Sequence, residues 1–140
     1  MALRIVVDSY AWVELFIGSD KGRVVKKRLG EADEVCTPDI VLAELARKYR
    51  KENVDANIIA ERLSRVAELS RIVPIDKSIA VKAAELDLEL GRTAAGANYR
   101  APSFSDAVVL AVAKALDANL ITADEHFRDR PEVIWVGDKG

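Results

Sequence analysis

Short β-branched runs alternate along the chain with longer stretches whose apolar residues recur at helical spacing. Leu3 to Val7, Glu34 to Cys36, Arg71 to Ile75, Asn119 to Thr122 and Val133 to Val136 read as strands. Between them, Tyr10 to Phe16, Gly22 to Leu29, Pro38 to Lys51, Ala56 to Ser70, Lys77 to Leu90 and Ser103 to Leu116 read as helices. Strands that alternate with helices predict an α/β chain: a Rossmann-like three-layer α/β/α sandwich on a five-stranded, mostly parallel sheet, with right-handed crossovers. Punctuation supports the parse. Thr37-Pro38 predicts a cap with proline at the first helical position, Asp76 caps the next such element, and Gly91 ends a helix. From Gly91 to Pro102, a stretch with Ala94, Ala95, Gly96 and Asn98, no apolar periodicity is evident, which predicts an exposed loop.

A chain of 140 residues suits one domain, residues 1–140, with no repeat or linker. Half its residues are hydrophobic and 31% are charged, which excludes a disordered tail or fibrous repeat. A net charge of −2 gives no field that would steer nucleic acid to the whole surface, so any nucleic acid must be held locally. The single cysteine, Cys36, is flanked by Val35 and reads as a small buried hydrophobe. Asp8 arrives too early for a secretory apolar core, and no apolar run approaches the roughly 18 residues of a membrane span, so a cytoplasmic location is expected.

Acids at strand ends are the first candidates for chemistry, because ligands of open parallel sheets bind beyond the carboxyl ends of the strands. Asp8 directly follows the first strand, and Asp124 follows Leu120 to Thr122; either could equally be a helix N-cap. Asp106 opens a helix that is apolar nearly all round, from Val108 to Leu116 with only Lys114 interrupting. Its carboxylate therefore sits at the edge of the core, either as a metal ligand or as the acid of a Ser103-x-x-Asp106 capping box. Glu44 lies opposite the apolar stripe of Leu42, Leu45, Ala46 and Tyr49. Periodicity makes it a solvated glutamate paired with Lys48.

Four segments resemble the PIN-domain family, and within it VapC-type toxin ribonucleases. They are Val7-Asp8-Ser9 followed by Ala11-Trp12, Val41-Leu42-Ala43-Glu44-Leu45, Ser105-Asp106-Ala107 opening an Ala-rich helix, and Leu120-Ile121-Thr122-Ala123-Asp124 with Phe127 beyond. The resemblance covers nearly the whole chain, and its order and spacing are more specific than any one piece. It implies the PIN fold, an acidic quartet at Asp8, Glu44, Asp106 and Asp124 as catalytic and metal-binding residues, and supporting hydroxyls at Ser9 and Thr122. It also implies Mg²⁺ or Mn²⁺ as cofactor, RNA as substrate, a cognate antitoxin and a homodimer. Trp12, Leu15, Phe16 and Ile17 could serve such surfaces or the core.

Carboxylates about 5 Å apart repel by roughly 3 kcal/mol per pair at an effective dielectric of 20, so four together call for a cation, and oxygen ligands select a hard one. The chain's one histidine, His126, excludes a multi-histidine zinc cluster; within Asp124-Glu125-His126-Phe127 it could lie near the site, but a surface position is expected. Arg47, Lys48, Arg50 and Lys51 beside Glu44, with Arg92 and Arg100 further on, are candidate phosphate contacts or simply solvated faces. Two rival readings remain. A haloacid-dehalogenase-like phosphatase expects a second Asp two positions after the first, where this chain has Tyr10. A PIN-like scaffold that binds RNA or protein without cutting would not need the quartet intact.

Overall fold

The computed structural model describes residues 2–96 and 102–137. The strands are β1 (Arg4–Val7), β2 (Glu34–Pro38), β3 (Arg71–Val73), β4 (Asn119–Thr122) and β5 (Val133–Trp135). They form one sheet in the order β3-β2-β1-β4-β5, and all four pairings are parallel, so the expected mostly parallel sheet is wholly so. Ile5, Val6 and Val7 of β1 and Leu120 and Ile121 of β4 are fully buried, which is why these two interior strands carry adjacent apolar residues rather than alternating ones. Val6 lies opposite Cys36 on one side and Leu120 on the other.

Helices α1 (Ser9–Ile17) and α2 (Asp20–Glu31) join β1 to β2. Next, α3 (Asp39–Lys51) and α4 (Ala56–Leu69) lead to β3, and α5 (Lys77–Gly96) and α6 (Phe104–Ala115) lead to β4. Each pair packs together, and helices cover both faces of the sheet. The apolar α6 is buried along Ala107 to Ala113, as its sequence required. Cys36 is a buried free thiol. Trp12 is buried in the core, whereas Ile17, at 68% exposure, is on the surface. Among the described residues, no helix is long and apolar enough to cross a membrane.

Two punctuation signals acted differently from expectation. Gly91 does not end its helix: α5 continues to Gly96 because the buried series Ile79, Ala83, Leu86, Leu90, Ala94 keeps its helical spacing straight through it. Asn98 and Arg100 lie outside the described residues. Pro38 is the last residue of β2 and the N-cap of α3, which begins at Asp39 without a side-chain cap. Thr37 is not free to cap, since its buried hydroxyl belongs to a relay. Trp12 Nε1 donates to Thr37 Oγ1 at 3.1 Å, Thr37 meets Ser70 Oγ at 2.7 Å, and Ser70 donates to the Val66 carbonyl at 2.7 Å. With the Ser70 proton spent on Val66, Thr37 is the donor to Ser70. Asp76 does cap α5, accepting from the Ile79 amide at 2.8 Å.

Helices α1 and α2 approach closely at Gly22. A Cβ there would fall 2.0 Å from the Glu14 carbonyl oxygen, so Gly22→Ala must push α2 away. In chemical denaturation it is expected to cost about 1–3 kcal/mol. Gly30→Ala, where a Cβ meets nothing within 4 Å, is expected instead to stabilise the same helix by about 0.5–1 kcal/mol. Equal effects of the two would show that the close approach is not limiting.

Candidate active site

The chain leaves β1 toward β2 on one side of the sheet, and its return to β4 fills the other side, so strand order reverses between β1 and β4. The crevice beyond the carboxyl ends of these two strands is where such sheets bind ligands. Asp8 follows β1 and is the N-cap of α1, its Oδ1 accepting from the Ala11 amide at 2.8 Å. Its Oδ2 accepts from the Thr122 hydroxyl of β4. The same hydroxyl oxygen accepts from the Asp124 amide at 3.0 Å, so Thr122, fully buried, joins the two strand-end acids.

Asp124 caps the 3-10 turn Glu125–Phe127, and its Oδ1 accepts from the His126 amide at 3.0 Å and meets His126 Nδ1 at 2.7 Å. His126 is therefore not a surface histidine. Its side chain is only 25% exposed and lies in the site, a position signalled in the sequence by its place two residues after a strand-end acid. Asp106 is both things the sequence left open. It forms the capping box, accepting from the Ser103 amide at 2.9 Å while its own amide donates to Ser103 Oγ at 3.3 Å. It also couples electrostatically to the other acids.

That coupling assembles the quartet. Burial raises the carboxyl of Asp8 from its ordinary 3.8 to about 7 against the bonds from Thr122 and Ala11, and the charges of Asp124 and Asp106 add to the rise. Glu44 is raised to about 7 by burial, then by Asp106 and Asp8. Asp106 is raised by burial and by Asp124, with Ser103 and His126 pulling the other way. Glu44 is thus not the solvated glutamate that periodicity alone predicts. It is half-buried and faces the acids because α3 is wedged against both α1 and α6, while Lys48 pairs with Glu52 at 2.8 Å instead.

In kind, these oxygen donors fit a hard divalent cation and no softer metal. Their grouping is electrostatic, however. Among the described residues, no three His, Cys, Asp or Glu side chains converge closely enough to hold an ion as they stand. An oxygen of each of Asp8, Asp106 and Asp124 is engaged in a cap.

Beside the acids lies a cleft of about 460 Å³ lined by Ser9, Glu44, Arg47, Lys48, Lys51 and Ser103, among others. Arg47, Lys48 and Lys51 are therefore placed at the site, and Ser9 is with them. Arg50 turns away to the Val54 carbonyl, and Arg92 is exposed on α5 and does not line the cleft. Ser105, to which the sequence reading gave no role, also lines it.

The family model for the PIN domain matches residues 5–133. The chain belongs to the PIN-domain family. Among solved structures, the PIN domain is similar to a chain of a toxin–antitoxin complex from Klebsiella pneumoniae, with TM-score 0.72, 20% identity, and 96% of this chain and 98% of that one covered. A chain of a VapBC complex from Rickettsia felis bound to promoter DNA matches with TM-score 0.70 and 18% identity, over 95% and 97%. A sarcin-ricin-loop-cleaving VapC toxin of Mycobacterium tuberculosis matches with TM-score 0.66 and 18% identity, over 90% and 95%. At these identities the likeness speaks for the fold. No curated protein matches the chain by sequence.

Removing the Thr122 hydroxyl strands both an Asp124 amide and an Asp8 oxygen. Thr122→Val is expected to lower stability of the PIN domain by about 1–3 kcal/mol, and Thr122→Ser to restore most of it, as read by urea denaturation. Titration with pH should show the raised carboxyls of Asp8 and Glu44. Where folded carboxyls titrate near 7 and unfolded ones near 4, the folded state binds more protons between those values, so stability falls as pH rises through that window. In a chelator, the melting temperature is expected to fall from pH 5 to pH 8, and Asp8→Asn to flatten the slope. A flat wild-type profile would contradict the coupling.

Proposed function

We propose that this PIN domain is a cytoplasmic Mg²⁺- or Mn²⁺-dependent endoribonuclease, the toxin of a VapBC-type toxin–antitoxin pair. The observation that carries the reading is the electrostatic coupling of Asp8, Glu44, Asp106 and Asp124 at the strand-order switch, beside a cleft rimmed by Arg47, Lys48 and Lys51. Structures of similar fold include toxin–antitoxin complexes and a toxin that cleaves the sarcin-ricin loop, which supports both the activity and an antitoxin partner.

Asp8 and Asp106 would hold the ion directly, with Glu44 and Asp124 completing the set and Ser9 and Thr122 supporting it. A bound divalent ion supplies water activation and neutralises charge on the phosphodiester and its leaving oxygen. The protein supplies position. Thr122 holds Asp8 and the Asp124 backbone in one arrangement, and the capping box holds Asp106. Arg47 and Lys48 would take flanking phosphates of the RNA. An antitoxin that silences this site would have to cover the acidic cleft, and the active form would be a homodimer.

Asp8→Asn and Asp106→Asn each keep the cap acceptor but remove a charge. Both are expected to reduce cleavage of purified RNA in Mn²⁺ to the level of a protein-free control, with melting profiles that remain cooperative. Cleavage at the wild-type rate in both variants would refute the assignment. Mn²⁺ binding without any cleavage by the wild type would leave the non-cutting scaffold as the better reading.

A further inference from the structure

The turn after β4 contains a contact that capping alone does not require. An Asp at the N-cap of a turn needs only a backbone amide, and Asp124 Oδ1 has one from His126 at 3.0 Å. The same oxygen is also met by the His126 ring through Nδ1 at 2.7 Å, a shorter contact than the amide's. A carboxylate oxygen can only accept, so the contact is a hydrogen bond to it when Nδ1 carries the ring proton. Oδ1 is thereby doubly engaged, and Oδ2 has no hydrogen-bond partner among the described residues. The ring is held in place by its surroundings: its side chain is 25% exposed, and the next residue, Phe127, is buried in the core. On the other side, Thr122 holds the Asp124 amide at 3.0 Å. Asp124 is thus fixed at its backbone by one residue and at its carboxylate by another.

We propose that His126 is a positioning residue, donating Nδ1–H to Asp124 Oδ1 so that Oδ2 is the oxygen left to a divalent cation. The inference rests on the metal-site reading of the quartet. It adds to that set a residue that touches neither ion nor RNA and acts through Asp124. Hydrogen bonds that orient a ligating carboxylate are worth about 10–100-fold in metal affinity.

Two measurements test it. His126 is the chain's one histidine, so selective ¹⁵N-histidine labelling gives a single ring to observe in the native protein. At a pH where the ring is neutral, it is expected to be the Nδ1–H tautomer; the Nε2–H tautomer would overturn the inference, because Nδ1 could not then donate. Second, Mn²⁺ titration by calorimetry compares His126→Leu, which has no donor, with His126→Asn, whose amide nitrogen can stand near Nδ1. Leu is expected to weaken Mn²⁺ binding about tenfold or more and Asn to recover most of that loss. Leu binding as tightly as wild type, or Asn binding as weakly as Leu, would overturn it. If the Leu variant fails to fold, the tautomer of the wild type decides. Wild-type protein that binds no Mn²⁺ removes the metal reading and this inference with it. Wild-type binding that is lost in Asp8→Asn but unchanged in His126→Leu removes this inference alone.

Discussion

Taking a carboxylate out of water and setting it beside other carboxylates raises the free energy of its ionised form twice, once through lost solvation and once through repulsion. Asp8, Glu44 and Asp106 carry both penalties, with burial the larger cause for each. The geometry that imposes them is the sheet order. Placing β1 and β4 side by side brings Asp8 and Asp124 to the same crevice, and packing α3 and α6 against each other adds Glu44 and Asp106. The apolar core beneath, with Val7 and Ile121 fully buried, keeps those strand ends from separating to relieve the strain. The site is therefore destabilising in itself and is held together by packing elsewhere.

Local hydrogen bonds offset part of that cost. Three of the four acids also serve as helix-start residues: Asp8 caps α1, Asp106 completes the capping box of α6, and Asp124 caps the turn after β4. Backbone amides at a helix start favour negative charge, so each acid has a reason to remain where it is before any cation arrives. Structure and chemistry are not competing explanations for these residues. One carboxylate oxygen can satisfy the amide while the charge of the whole group acts on its neighbours.

This double service explains what could be read from the sequence. Asp8, Asp106 and Asp124 were visible because caps occur at element boundaries, and the boundaries followed from strand and helix periodicity. Glu44 was not visible that way. Helical periodicity finds one buried stripe, and α3 is covered on two faces, by α1 and by α6, so the residue opposite that stripe is drawn into the site rather than into water. Gly91 misled for a related reason: glycine is a strong stop signal, but buried Leu90 and Ala94 on either side keep α5 helical. For His126 the surface was preferred over the site because a lone histidine beyond a strand is usually solvated. Its Asp124 bond depends on the tightness of a single 3-10 turn, which no periodicity reports.

The placement of opposite charges in one cleft also bears on how the proposed substrate would bind. A net charge of −2 provides no long-range attraction for a polyanion, so contact must come from Arg47, Lys48 and Lys51, which line the same cleft as Glu44. Without a cation, a phosphate seated deep in the cleft would face carboxylates and be repelled, and only phosphates at the rim would be attracted. One divalent ion cancels two of the inner negative charges and leaves the rim unchanged, so the repulsion falls where the phosphate must sit. On the proposed function, metal and RNA are then not independent ligands. Each relieves the electrostatic penalty of the other, so occupancy of the inner site couples substrate capture to the presence of the ion that would be needed to cut it.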